Sequence, residues 1–147
     1  MTAIGFYHLT RSGLPDALAR LLDRTLKADQ RALVLCPDAT RLKDVDTALW
    51  ACSEPVWLPH GTEADGDADL QPVWLSTKPE PVNGARFLFL VDGAETDRNA
   101  EFDRVFDLFD GNDSDKVVAA RRRWTAAKQS GHELTYWKQG PRGWEKG

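Results

Sequence analysis

The chain has 147 residues, 41% of them hydrophobic, and a formal net charge of −4. That length and apolar content suit one domain with a single sizeable core. The acidic balance excludes a global electrostatic attraction to nucleic acid or anionic lipid, so any link to DNA is expected to be indirect.

Residues 3–9 (AIGFYHL) and 31–36 (RALVLC) are short runs rich in aromatic and branched side chains, and between them Leu14, Leu18, Leu21, Leu22 and Leu26 recur at helical spacing. Strand, amphipathic helix, strand is a βαβ unit, which predicts two parallel strands adjacent in one sheet. Pro15 suits the first turn of that helix, where its missing N–H would have no partner anyway. Leu42, Val45, Leu49 and Trp50 predict a second helix over residues 40–51, with Asp38 or Thr40 as its cap. Strands are predicted at residues 56–58 (VWL), 72–77 (PVWLST) and 85–92 (ARFLFLVD), the last apolar on both faces and so central. Phe102, Val105, Phe106 and Phe109 keep one stripe and predict a helix over residues 100–109. A further helix is predicted over 114–130, stopped by Gly131, and a final strand over 134–138. The expected architecture is α/β, a central and mostly parallel sheet of about five strands flanked by helices. It fills residues 1–139, leaving the turn-rich residues 140–147 (GPRGWEKG) as a flexible tail.

The search for chemistry is mostly negative. No GxGxxG follows the first strand, and neither GxxxxGK[ST] nor GxSxG occurs, so dinucleotide, P-loop and hydrolase-elbow chemistry lack their usual anchors. Cys36 and Cys52 stand sixteen positions apart, with no CxxC pair and no histidine at ligand spacing, and read as ordinary thiols. The acidic stretch at residues 61–70 (GTEADGDADL) resembles a calcium loop only in charge. Counted from Asp65, the sixth and twelfth positions are Leu70 and Ser76 where an EF-hand needs Gly and Glu, so a solvated surface loop is expected. Apolar runs such as residues 87–91 are strand-length, no basic-then-apolar signal follows Met1, and a cytoplasmic location without membrane contact is expected. An enzymatic alternative, a small α/β hydrolase or nucleotide-dependent enzyme, requires His8, His60 and Asp92 to converge in one pocket. Direct single-strand binding through residues 121–123 is a third reading, opposed by the acidic balance.

Two clusters stand out. In the last helix Val117, Arg121, Trp124 and Lys128 fall at i, i+4, i+7 and i+11 and so share one face, with two cations flanking an aromatic. Such a face suits an extended peptide that ends in an aromatic residue, acidic side chains and a free carboxylate. The alternative is a solvated basic face with Trp124 as core filler. Ala119, Ala120, Ala126 and Ala127 are small enough for close packing on a sheet, which leaves residues 121–123 to reach solvent. The second cluster is Trp50, Trp57 and the turn around Pro59. Six tryptophans exceed what a small core consumes, and surplus tryptophan is enriched at interfaces; the alternative is a core edge.

F-Y-H-L at residues 6–9, D-x-A-L-W at 46–50 and P-H-G at 59–61 resemble the chi subunit of bacterial DNA polymerase III. The similarity continues through F-D-G at 109–111, A-A-R-R-R-W at 119–124, K-x-x-G at 128–131 and Y-W at 136–137, in order and over nearly the whole chain. This resemblance implies a Rossmann-like domain without a cofactor or catalytic activity. It further implies pairing with the psi subunit of the clamp-loader assembly and a grip on the acidic C-terminal tail of single-stranded-DNA-binding protein. By motif position, Arg121 and Trp124 match the tail-binding residues, with Val117 and Lys128 as neighbours, and Trp50, Trp57 and Pro59 fall where the family meets psi. Thr125 departs from the pattern, standing where some members place a lysine; Lys128 or Arg122 is available to supply that charge.

Overall fold

The computed structural model describes residues 2–52, 58–141 and 143–147. Its centre is one sheet in the order β3-β4-β2-β5-β6-β1-β7-β8. The strands are β1 (Ala3–Leu9), β2 (Ala32–Leu35), β3 (Gly61–Thr62), β4 (Val73–Ser76), β5 (Phe87–Val91), β6 (Arg104–Asp110), β7 (Glu133–Gly140) and β8 (Gly143–Lys146). All pairings are parallel except β7 with β8. Three α-helices complete the fold, α1 (Leu14–Lys27), α2 (Ala39–Ala51) and α3 (Ser114–Gln129).

Alternation along the strands builds two cores. Tyr7, Val34, Phe89 and Leu108 face α1 and α2, whereas Phe6, Leu33, Leu90 and Phe109 face α3. α1 contributes Leu14, Leu18, Leu21 and Leu22 to the first core, with Pro15 in its first turn. Asp38 caps α2, its carboxylate accepting from the Arg41 N–H at 2.7 Å. Gly131, at φ +81, lies just past α3 and tolerates the left-handed turn that ends it.

Four expectations change. The sheet has eight strands, not about five. β1 and β2 are parallel but not neighbours, because β5 and β6 lie between them. Both inserted strands are buried on both faces, β6 with Asp107 as a buried charge among apolar neighbours, which suits the middle of the sheet. Residues 104–110 form β6, not a helix. Their spacing satisfies a helical stripe, but Val105, Phe106, Leu108 and Phe109 are all buried, on alternate faces of a strand. Residues 140–147, expected as a tail, carry β8, whose Trp144 meets the Tyr7 ring edge-on at 5.1 Å. The predicted strand at 56–58 lies largely outside the described residues; Leu58 is buried and not in a strand. The stretch at 61–70 holds short β3, a turn tied by Asp65 to Thr62, and one 3-10 turn, with most of its carboxylates in solvent.

Candidate functional site

α3 starts at the Asp113 cap, which accepts from the N–H groups of Asp115 (3.0 Å) and Lys116 (3.4 Å). Ala120 and Ala127, two turns apart, are its buried contacts with the sheet, and their small size lets the helix sit close. Arg123 does not reach solvent as expected. It turns inward and grips Asp107 of β6 bidentately, at 2.6 and 2.9 Å, with side-chain exposures of 9% and 3%. Burial pushes the Asp107 carboxyl up, and the Arg123 guanidinium opposes that shift. Arg121 and Arg122 remain exposed.

With Arg123 anchored, the next residue, Trp124, lies half-buried along the sheet. Its ring meets Phe6 edge-on at 5.2 Å and Tyr136 at 6.2 Å. A cleft of about 280 Å³ opens there, lined by Phe6, Phe109, Val117, Ala120, Arg121, Trp124 and Tyr136. The aromatic floor comes from three adjacent strands, β6, β1 and β7, each presenting the residue that alternation aims at α3. Behind it, the Tyr136 hydroxyl is hydrogen-bonded to His8 Nδ1. Burial pushes His8 down, an effect that Lys138 and Arg121 reinforce, and it raises the Tyr136 hydroxyl. The arrangement offers an apolar slot the size of one side chain, with a planar cation at its rim able to take a carboxylate bidentately.

Of the four helix residues singled out in the sequence, Val117, Arg121 and Trp124 meet in this cleft. Lys128 is exposed and not part of its lining. Phe6, Phe109 and Tyr136 were missed as site residues. Alternation alone puts each on a definite strand face, but that those faces adjoin follows only from the strand order.

The other surface gathers around α2. Trp50, 57% exposed, lies over the His60 ring at a centroid distance of 4.2 Å. His60 is buried, its Nδ1 2.8 Å from the Leu58 carbonyl and its Nε2 3.1 Å from Asp46. Pro59 beside it is half-buried; Trp57 falls outside the described residues.

The groups required by the enzymatic alternative are each engaged elsewhere. His8 meets Tyr136, His60 meets Asp46, and Asp92 takes Arg41 at 2.7 Å and Lys116 at 2.8 Å. At the β1–α1 turn, where open α/β sheets commonly hold a phosphate, the N–H groups of Thr10, Arg11 and Ser12 all donate to Gln139 Oε1, at 3.0, 2.9 and 3.1 Å. Among the described residues, no cluster of three or more His, Cys, Asp or Glu is placed to hold a metal ion, and no helix is long and apolar enough to cross a membrane.

The sequence profile of the DNA polymerase III chi subunit, HolC, matches residues 1–135. The chain is also similar to the probable DNA polymerase III subunit chi of Rickettsia prowazekii (strain Madrid E), 23% identical over 109 residues. That match covers 72% of this chain and 66% of the relative, just under two thirds of its length. The profile takes in β1 to β6, the first three residues of β7 and all three helices, and with them the Trp50 surface and every residue lining the cleft except Tyr136: this chain belongs to the DNA polymerase III chi subunit family.

Proposed function

We propose that this chain is a non-catalytic adaptor of the replication machinery that binds the acidic C-terminal tail of single-stranded-DNA-binding protein on α3 and joins the clamp loader through psi. The observation that carries this reading is the open aromatic cleft with the exposed Arg121 at its rim. A terminal Phe enters the cleft walled by Val117, Trp124, Phe109 and Tyr136, and Arg121 takes its carboxylate. Arg122, exposed beside Arg121, is available to the acidic residues that precede the terminal Phe and to supply the charge absent at Thr125, as is Lys128. Trp50 and Pro59, with Trp57, form the psi-facing surface, where a half-exposed tryptophan held against a buried histidine is a ready hydrophobic anchor. A cytoplasmic location, indirect contact with DNA and the Rossmann-like designation belong to the same reading.

Calorimetric titration with a peptide copying the tail tests it. Wild type should bind in a salt-dependent manner. Trp124→Ala should lose about 2 kcal/mol or more, Arg121→Ala a smaller amount, and Trp50→Ala nothing. Wild type that does not bind, or Trp124→Ala that binds normally, would sink the tail assignment. Trp50→Ala should instead abolish co-purification with psi.

A further inference from the structure

His8 lies on the same face of β1 as Phe6, two residues nearer the C-terminal end of the strand, and so on the α3 side of the sheet. In the ladder it stands opposite Phe109 of β6 and Lys138 of β7. Its ring tilts against Phe109 at a centroid distance of 5.1 Å and meets the Tyr136 ring edge-on at 5.8 Å. Two residues past Phe109, Gly111 leaves no room for a Cβ, which would run into the Cδ2–Nε2 edge of the His8 ring. The other edge carries Nδ1, which is hydrogen-bonded to the Tyr136 hydroxyl. One side chain thus links all three strands that build the aromatic cleft, although it does not line the cleft itself.

The cleft walls differ in how they are held. Phe6 and Phe109 are each 2% exposed and are fixed by core packing. Tyr136 is partly exposed, and among the described residues His8 is the side chain that holds its hydroxyl. Trp124 depends on Tyr136 in turn, because its own partly exposed ring rests edge-on against Tyr136 and Phe6. We infer that His8 is a positioning residue of the peptide-binding cleft: through the Tyr136 hydroxyl it holds the β7 wall, and with it the Trp124 ring, in the open geometry before a peptide arrives. The inference rests on the tail-docking reading and assigns that site a residue outside its lining. A wall held in advance spares the peptide the cost of ordering it. An untied Tyr136 ring would swing between rotamers and give up that freedom on binding, weakening association roughly three- to tenfold.

The test is fluorescence anisotropy of the whole chain with the peptide Asp-Asp-Ala-Phe, labelled at its N-terminus and free at its C-terminus. At about pH 8 the His8 ring, whose pKa lies below its ordinary value, is neutral, so no variant alters the charge beside Arg121. His8→Leu, similar in size, and Tyr136→Phe, which keeps the ring, should each bind roughly three- to tenfold more weakly than wild type. Combined, they should lose no more than either alone, because both cut the same bond. His8→Asn, whose amide keeps a hydrogen-bonding atom at the Nδ1 position, should restore most of the affinity. Tyr136→Phe carries the test if His8→Leu fails to fold. Losses that add in the double variant, or a His8→Asn variant as weak as His8→Leu, would show that bulk at residue 8 matters and not the bond, and would overturn the inference. Wild-type affinity in either single variant overturns it as well, while the cleft stands as the binding site. If wild type itself fails to bind the peptide, the tail-docking reading fails and takes this inference with it.

Discussion

Among the described residues, Arg123 and Asp107 form a deeply buried ion pair, and their partnership decides which arginines α3 shows to solvent. A buried ion pair adds little over an apolar pair of the same size, but breaking one side strands the other charge, at about 3–5 kcal/mol. Asp107→Ala should therefore destabilise the fold by about that amount in denaturant titration, and joint replacement by Leu at 107 and Met at 123 should recover most of it. Recovery would assign the pair a positioning role; a single substitution without effect would mean that the two groups are solvated. Cys36 shows the same desolvation in a neutral group. Burial pushes its thiol up to about 12, so almost no thiolate forms at pH 8. Iodoacetamide should leave Cys36 unlabelled in the native protein and label it in denaturant, as read by mass spectrometry.

Among the elements, β8 changes the edge of the sheet. Without it, β7 would end the sheet with a row of unpaired backbone groups; β8 covers residues 137–140 and lays Trp144 on Tyr7 of the α1-side core. Half-burial of such a ring contributes about 1–3 kcal/mol. Trp144→Ala should lower stability by that much, and an unchanged unfolding midpoint would show that the last strand adds nothing to the core. Tail-peptide affinity should be unaffected, because Trp144 lies on the face opposite α3. The α3 element itself is weakly amphipathic and carries only two buried alanines. Its seat depends on the cap at Asp113, the Arg123 anchor and the Trp124 contacts more than on an apolar stripe.

For the whole molecule, pH acts through His8, which lies at the C-terminal end of β1 behind the cleft. Its folded pKa is below the ordinary 6.5 because burial disfavours the charged ring. The unfolded chain therefore takes up the proton first. The His8 contribution is fully present above about pH 6.5 and is lost as pH falls through the folded value. Wild type should lose stability between pH 7 and pH 5, and His8→Phe should lose less. Equal losses would show that His8 does not carry the effect.

Local sequence alone determined much of this protein. Leucine spacing placed α1, branched and aromatic runs placed β1, β2, β4 and β5, and Val117, Arg121 and Trp124 were legible as one face because helical period is a local property. Motif order carried the family. The tertiary structure alone decided the rest. Residues 104–110 satisfy both periods, and only burial on both faces makes them a strand. Arg123 reads like its two neighbours until Asp107, sixteen residues away, draws it inward. Phe6, Phe109 and Tyr136 become one wall of the cleft only because β6, β1 and β7 pair side by side. That strand order is set by long-range burial, and no local window of the sequence contains it.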